Sequence, residues 1–174
     1  MLNKAHNRRY FAYLALAIVI ILLDQWTKYL ASSHLIYGQP VAVLPFFNLT
    51  LLHNTGAAFS FLSDAGGWQR WFFAGLSFLV SLVLLVWIYQ LKPKEQLLAL
   101  SLALILGGAI GNLWDRVLLG YVVDFISVHY AGRYFPAFNI ADSAITLGAG
   151  LMILDMFIHP SAEKEKEKEK EKEA

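Results

Sequence analysis

Apolar residues in this chain gather into four runs. They lie at about Tyr10 to Leu30, Gln69 to Gln90, Gln96 to Asp115 and Asn139 to Ile158. Each is close to the ~20 residues needed to cross a bilayer core. The pattern predicts an all-α membrane protein with four transmembrane helices. Between the first two runs the pattern changes. Val41-Ala42-Val43-Leu44-Pro45-Phe46-Phe47 and Leu49-Thr50-Leu51-Leu52-His53 are rich in β-branched and aromatic residues and are broken by Pro45 and Asn54. They read as short strands. The segment 31–68 is thus expected to be a small extracytoplasmic β-rich layer on the membrane surface, its apolar face toward lipid or substrate. Gly66-Gly67 breaks the chain before the second run. One membrane domain is expected over 1–160, with a charged tail over 161–174.

The charges orient the runs. Lys4, Arg8 and Arg9 precede the first, Lys92 and Lys94 separate the second from the third, and 31–68 has no Lys or Arg. Cytoplasmic loops carry the excess of Lys and Arg. Both termini are therefore expected in the cytoplasm, with 31–68 and 116–138 facing outward. The strict Glu/Lys alternation from Glu163 to Glu173 has no apolar face to dock, so it reads as a solvated cytoplasmic tail. Ala31-Ser32-Ser33 looks like a signal-peptide cleavage site. Asp24, Gln25 and Lys28 interrupt the region ahead of it, so the first run is read as a retained span.

Composition narrows the classes. The chain of 174 residues is 57% hydrophobic and 16% charged, with mean hydropathy +0.51, unlike a soluble domain. A net charge of +1 gives nucleic acid no footprint. Without cysteine there is no thiol nucleophile or thiolate metal site. The histidines are scattered and no H-E-x-x-H occurs, so neither metal nor cofactor is expected.

Asp124 and Asp142 carry the chemistry. Asp124 follows the third apolar run and Asp142 opens the fourth, and the intervening Val122, Val123, Phe125 and Ile126 offer neither a cation. Two poorly solvated carboxylates at one site do not both ionise easily. One keeps its proton, which makes an acid and a base from one residue type. A structural account competes for Asp142: Asn139 can cap the fourth helix, with Asp142 at the third position favouring its dipole. It leaves Asp124 unexplained unless that residue is a turn or strand-edge carboxylate facing water. Asp24 and Lys28, four apart, read as an interfacial ion pair with Lys28 snorkelling to the surface. Asn54-Thr55-Gly56-Ala57-Ala58-Phe59 is either a turn or a place where Asn54 offers its amide to a substrate while Gly56 admits a second chain closely. In the third run Gly107 and Gly111 permit close helix packing. Gly108, Asn112, Asp115 and Arg116 share a face. Asp115 with Arg116 reads as a structural pair, and Asn112 within a span needs a partner.

Asp24-Gln25-Trp26-Thr27-Lys28, Asn54 to Phe59, Gly107 to Arg116, Val122 to Phe125 and Phe138 to Asp142 together resemble, in order, the motifs of bacterial lipoprotein signal peptidase, signal peptidase II. The resemblance implies a multi-pass aspartic endopeptidase of the bacterial cytoplasmic (inner) membrane. It would cut the signal peptide from prolipoproteins before a cysteine that already carries diacylglycerol. It makes Asp124 and Asp142 the catalytic dyad and lines the substrate site with Asn54, Asn112, Arg116 and Asn139. Asp24 would support the fold, a role also expected of Lys28, Gly56, Gly108 and Asp115. Lipid-modified prolipoproteins and membrane lipids are the expected partners of a monomer. The main rival is a four-helix transporter that uses its acids for proton coupling, which needs acids near mid-span. A scaffold whose aspartates only cap and pair is a second.

Overall fold

The computed structural model describes residues 4–56 and 67–159. Ala57, Ala58, Phe59 and Gly66 of the outer segment, and the Glu/Lys tail, lie outside the described residues. The elements are α1 (Lys4–His34), β1 (Val41–Leu44), β2 (Phe47–Asn54), α2 (Trp68–Gln90), α3 (Gln96–Leu118), β3 (Val122–Tyr130), β4 (Arg133–Tyr134) and α4 (Ile140–Ile158). Among the described residues four helices, α1 to α4, are long and apolar enough to cross a membrane.

The helix ends have local causes. Gly67, at φ 95°, turns the chain into α2. Leu91 leaves α2 extended, and the Lys92 N–H is taken up by Glu95 Oε2 at 2.6 Å. Past α3, the N–H groups of Leu119 and Gly120 both reach the Asp115 carbonyl. Arg70 covers two more carbonyls of that end, donating to Arg116 O at 2.8 Å and Val117 O at 2.7 Å. Inside the bundle, Ser81 and Ser101 donate to the carbonyls of Ser77 and Leu97 one turn back. Hydrocarbon offers a hydroxyl no water, so the helix's own carbonyl must serve.

α3 is the central helix. Leu102 and Leu106 are fully buried against Ala17 of α1 and Leu84 and Ile88 of α2. On another face α3 meets α4 with almost no side chain between them. A Cβ at Gly108 would strike the Ala141 carbonyl, and one at Gly148 would lie 2.7 Å from Ser101 O. The glycines let the two backbones touch. That contact fixes the start of α4, which carries Asp142.

The strands expected from 41–53 are present as β1 and β2, and the sheet is larger than that segment. It is antiparallel, in the order β1-β2-β3-β4, and half of it comes from 122–134. Its apolar face is also not left wholly to lipid. Leu51, Val123 and Phe125 pack on Ala31 of α1, with Leu35 and Ile140 beside them. The sheet is thus bolted to the helix ends, at the end of the bundle opposite the α2–α3 turn.

Candidate active site

Register brings Asp124 to its neighbours. Leu52 of β2 lies opposite Asp124 of β3, and Asn54 lies opposite Val122. Asn54 is therefore the diagonal neighbour of Asp124 on the same face, and its Nδ2 donates to Asp124 Oδ2 at 3.2 Å. The Asn54 Oδ1 accepts the Gly56 N–H at 3.0 Å. The turn role and the polar contact coexist in one side chain.

The chain then passes β4 and returns along β3. Phe138 exchanges backbone hydrogen bonds with Ile126, which delivers Asn139 beneath Asp124. Asn139 is fully buried. Its Nδ2 donates to Asp124 Oδ1 at 2.8 Å and also approaches Asn112 Oδ1 and Val123 O at 3.2 Å. Its Oδ1 accepts the Asp142 N–H at 2.9 Å, while its own N–H reaches Asp142 Oδ2 at 3.3 Å. That is a complete capping box. The cap and the site are thus one object: a single asparagine holds both aspartates.

Asn112 supplies the second donor to Asp142, with Nδ2 2.7 Å from Oδ1. Its oxygen faces Lys28 Nζ at 3.0 Å. Arg116 donates to the carbonyls of Asn112 and Gly56 at 3.3 and 3.2 Å, which ties the outer segment to α3. Among the described residues no buried side-chain N or O lacks a partner.

Two sequence expectations change. Lys28 does not snorkel. It is 3% exposed and bonds both Asp24 and Asp115 at 2.8 Å. Asp115 takes that lysine, 87 positions back in the chain, and not its neighbour Arg116, because adjacent residues on a helix do not face each other. Asp115 also accepts the Val123 N–H at 3.1 Å, so it anchors β3 beside Asp124. Gln25 was not singled out by the sequence. It donates to Asp24, to Gly111 O and to Asp115 Oδ1 at 2.9 Å. Its place beside Asp24 was the available signal. Arg70 was missed too, its polar head hidden at the start of an apolar run.

Burial, helped by the charge of Asp142, pushes the Asp124 carboxyl up to about 7, against the amides of Asn54 and Asn139 and the more distant Lys28. Two cavities meet at this point. One, of about 660 Å³, is lined by Asp124, Tyr37, His53 and Ser127 over the sheet. The other, of about 650 Å³, contains Asp142, Asn112 and Arg116 and runs along Ile145 and Leu147 of α4. Both include Asn54 and the Phe135-Pro136-Ala137 segment. The cavity beside Asp124 is the more polar of the two and the one beside Asp142 the more apolar.

The family model described as signal peptidase (SPase) II matches residues 16–158. The chain belongs to the signal peptidase II family. It is 61% identical over 145 residues to a lipoprotein signal peptidase of Acinetobacter baumannii, covering 83% of this chain and 82% of that one. Against the lipoprotein signal peptidase of Cellvibrio japonicus the identity is 51% over 163 residues, covering 92% and 94%. A bacterial membrane enzyme solved by the in meso method at 2.3 Å is similar at TM-score 0.77 and 33% identity, covering 86% of this chain and 90% of the other. The signal peptidase II family is a protease family, so this chain is a multi-pass membrane hydrolase, and the transporter reading falls.

Proposed function

We propose that this protein is an aspartic endopeptidase that removes the signal peptide from diacylglyceryl-modified prolipoproteins, cutting before the lipidated cysteine. The observation that carries the proposal is the shared asparagine. Asn139 bonds both Asp124 and Asp142, while burial pushes Asp124 toward neutrality. An acid held protonated beside a hydrogen-bonded carboxylate is the pair that metal-free hydrolysis needs.

In this reading Asp142 takes a proton from the attacking water. Asp124 then gives its proton to the leaving amine, and the spent pair exchanges one proton to return to its starting state. Asn54 and Arg116 flank the carboxylates and can stabilise charge developing on the carbonyl oxygen. The apolar cavity along α4 suits the acyl chains and apolar residues of the substrate. The cavity over the sheet suits the polypeptide beyond the cut. The cluster of Lys4, Arg8, Arg9, Lys92 and Lys94 supports a cytoplasmic position for both termini, which puts the dyad at the outer face in this reading.

The test is incubation of the purified protein with a diacylglyceryl-cysteine precursor peptide. Cleavage before the cysteine is expected, with a loss of at least about 1,000-fold in both Asp124→Asn and Asp142→Asn. Asn keeps much of the local capping ability of Asp, so Asp142→Asn should stay folded. A folded, active Asp142→Asn would reduce Asp142 to a helix cap and end the proposal.

A further inference from the structure

Lys28 is a buried ammonium, and it spends its three protons on three acceptors: Asp24 Oδ2 and Asp115 Oδ2 at 2.8 Å and Asn112 Oδ1 at 3.0 Å. An ammonium has donors only. The end of the Asn112 amide that faces it must therefore be the oxygen, and the NH2 end must point away. It points at Asp142 Oδ1, 2.7 Å distant. A reversed amide would set NH2 against NH3 at one end and oxygen against carboxylate at the other. The same Asn112 oxygen receives Asn139 Nδ2, which helps keep the Asn139 amide turned with its NH2 to Asp124 and its oxygen to the Asp142 N–H. One cation on α1 thus orders two amides on α3 and at the start of α4.

We propose that Lys28 is a positioning residue for the hydrolysis. By fixing the direction of the Asn112 amide, it makes Asp142 the ionised member of the pair and leaves the proton on Asp124. The proposal rests on the peptidase reading above and adds a residue that touches neither carboxylate of the pair. A carboxylate that receives an NH2 is favoured in its charged form, and one that faced an amide oxygen would need a proton to bond it. Asp124 also receives NH2 groups, from Asn54 and Asn139, but there burial and the charge of Asp142 outweigh them, so the direction of the Asn112 amide decides the state of Asp142. The other charged groups facing this region are Asp24 on α1, Asp115 and Arg116 on α3, Asp124 on β3 and Asp142 on α4. Lys28 also acts on Asp124 through its field, which favours the ionised carboxylate there. Field and orientation therefore predict opposite results when the cation is removed. Loss of the field alone would hold the proton more firmly on Asp124. Loss of the orientation would move it to Asp142.

The experiment follows the side-chain carboxyl carbons of Asp124 and Asp142 by carbon-13 NMR in detergent, from pH 4 to 9. Asp124→Asn and Asp142→Asn serve only to assign the two signals. In the parent protein Asp124 should be the one that titrates near neutrality. In Lys28→Met/Asp24→Asn, where the cation leaves with one of its counter-charges, Asp142 should titrate there instead. In Lys28→Gln/Asp24→Asn, which keeps a donor for Asn112 without a charge, the proton should stay on Asp124. Turnover of the lipidated precursor peptide should fall about 100-fold in the Met variant with KM within about twofold, and less than about tenfold in the Gln variant. A parent protein in which Asp142 holds the proton overturns the proposal, whether or not either variant folds. So does a Met variant that leaves it on Asp124, or a Gln variant that moves it to Asp142. If the parent protein fails to cleave the peptide, the peptidase reading falls, and the NMR titration still judges the role of Lys28.

Discussion

Asp24 Oδ1 accepts the backbone N–H of Ala141 at 2.8 Å, across 117 residues of chain. This bond joins the first helix to the opening turn of the fourth, one residue from Asp142. Asp24 is fully buried and its other oxygen holds Lys28. Breaking a buried pair costs about 3–5 kcal/mol. Lys28 keeps Asp115, so the lower end is expected for Asp24→Ala, with a clear fall in thermal stability in detergent. Asp24→Asn retains an acceptor for Ala141 and should lose less than half as much. Equal losses would show that the Ala141 bond contributes nothing.

Gly108 provides a second test of how α4 is placed. Its Cβ would meet the Ala141 carbonyl, which is backbone and cannot swing aside. Overpacking of this kind costs about 1–3 kcal/mol, and here the strain falls on the turn that carries Asp142. Gly108→Ala should therefore lose turnover by more than its stability loss accounts for. Gly150, with open space around its missing side chain, is the control: Gly150→Ala should be neutral or slightly stabilising. A fully active Gly108→Ala would mean that the helices slide freely at this contact.

Much of this arrangement is legible in the sequence, and the rest is hidden for identifiable reasons. Helices announce themselves as apolar runs of bilayer length, and Asp124 as a carboxylate without a nearby cation. β3 does not, although Val122 to Tyr130 is strand-like in composition, because its partner β2 lies some 70 residues away. Pairing at that distance leaves no local mark. The partner of Asp115 is hidden in the same way. Arg116 is adjacent in sequence and faces elsewhere, while Lys28 is remote and faces inward. Asn139 was readable twice, as a cap and as a site residue. Only the fold shows that one amide performs both tasks.

Orientation is testable without any substrate. Lys4, Arg8, Arg9, Lys92 and Lys94 lie at the end of the bundle opposite the sheet. The excess of Lys and Arg marks the cytoplasmic side. Reporter fusions after Lys94 and after Pro160 should report inside, and one at Gly66 outside. An outside signal from the Lys94 fusion would invert the protein and put the dyad on the cytoplasmic face.

The pH dependence of folding tests the proton on Asp124. Burial pushes its carboxyl from 3.8 up to about 7. Between those values the folded protein holds a proton that the unfolded chain has released. The contribution of Asp124 to the free energy of unfolding therefore falls as pH rises through that window and is level above it. The full displacement corresponds to at most on the order of 4 kcal/mol. Asp124→Asn has no carboxyl to titrate at this position. Its stability relative to the parent should rise from pH 4 to about 7 and then run parallel, as measured by unfolding in detergent across pH 4 to 9. The parent's turnover should decline above about pH 7, as Asp124 loses the proton it must donate. Stability curves that run parallel throughout would mean that Asp124 is already ionised at pH 4, and the acid of the pair would have to be sought in Asp142.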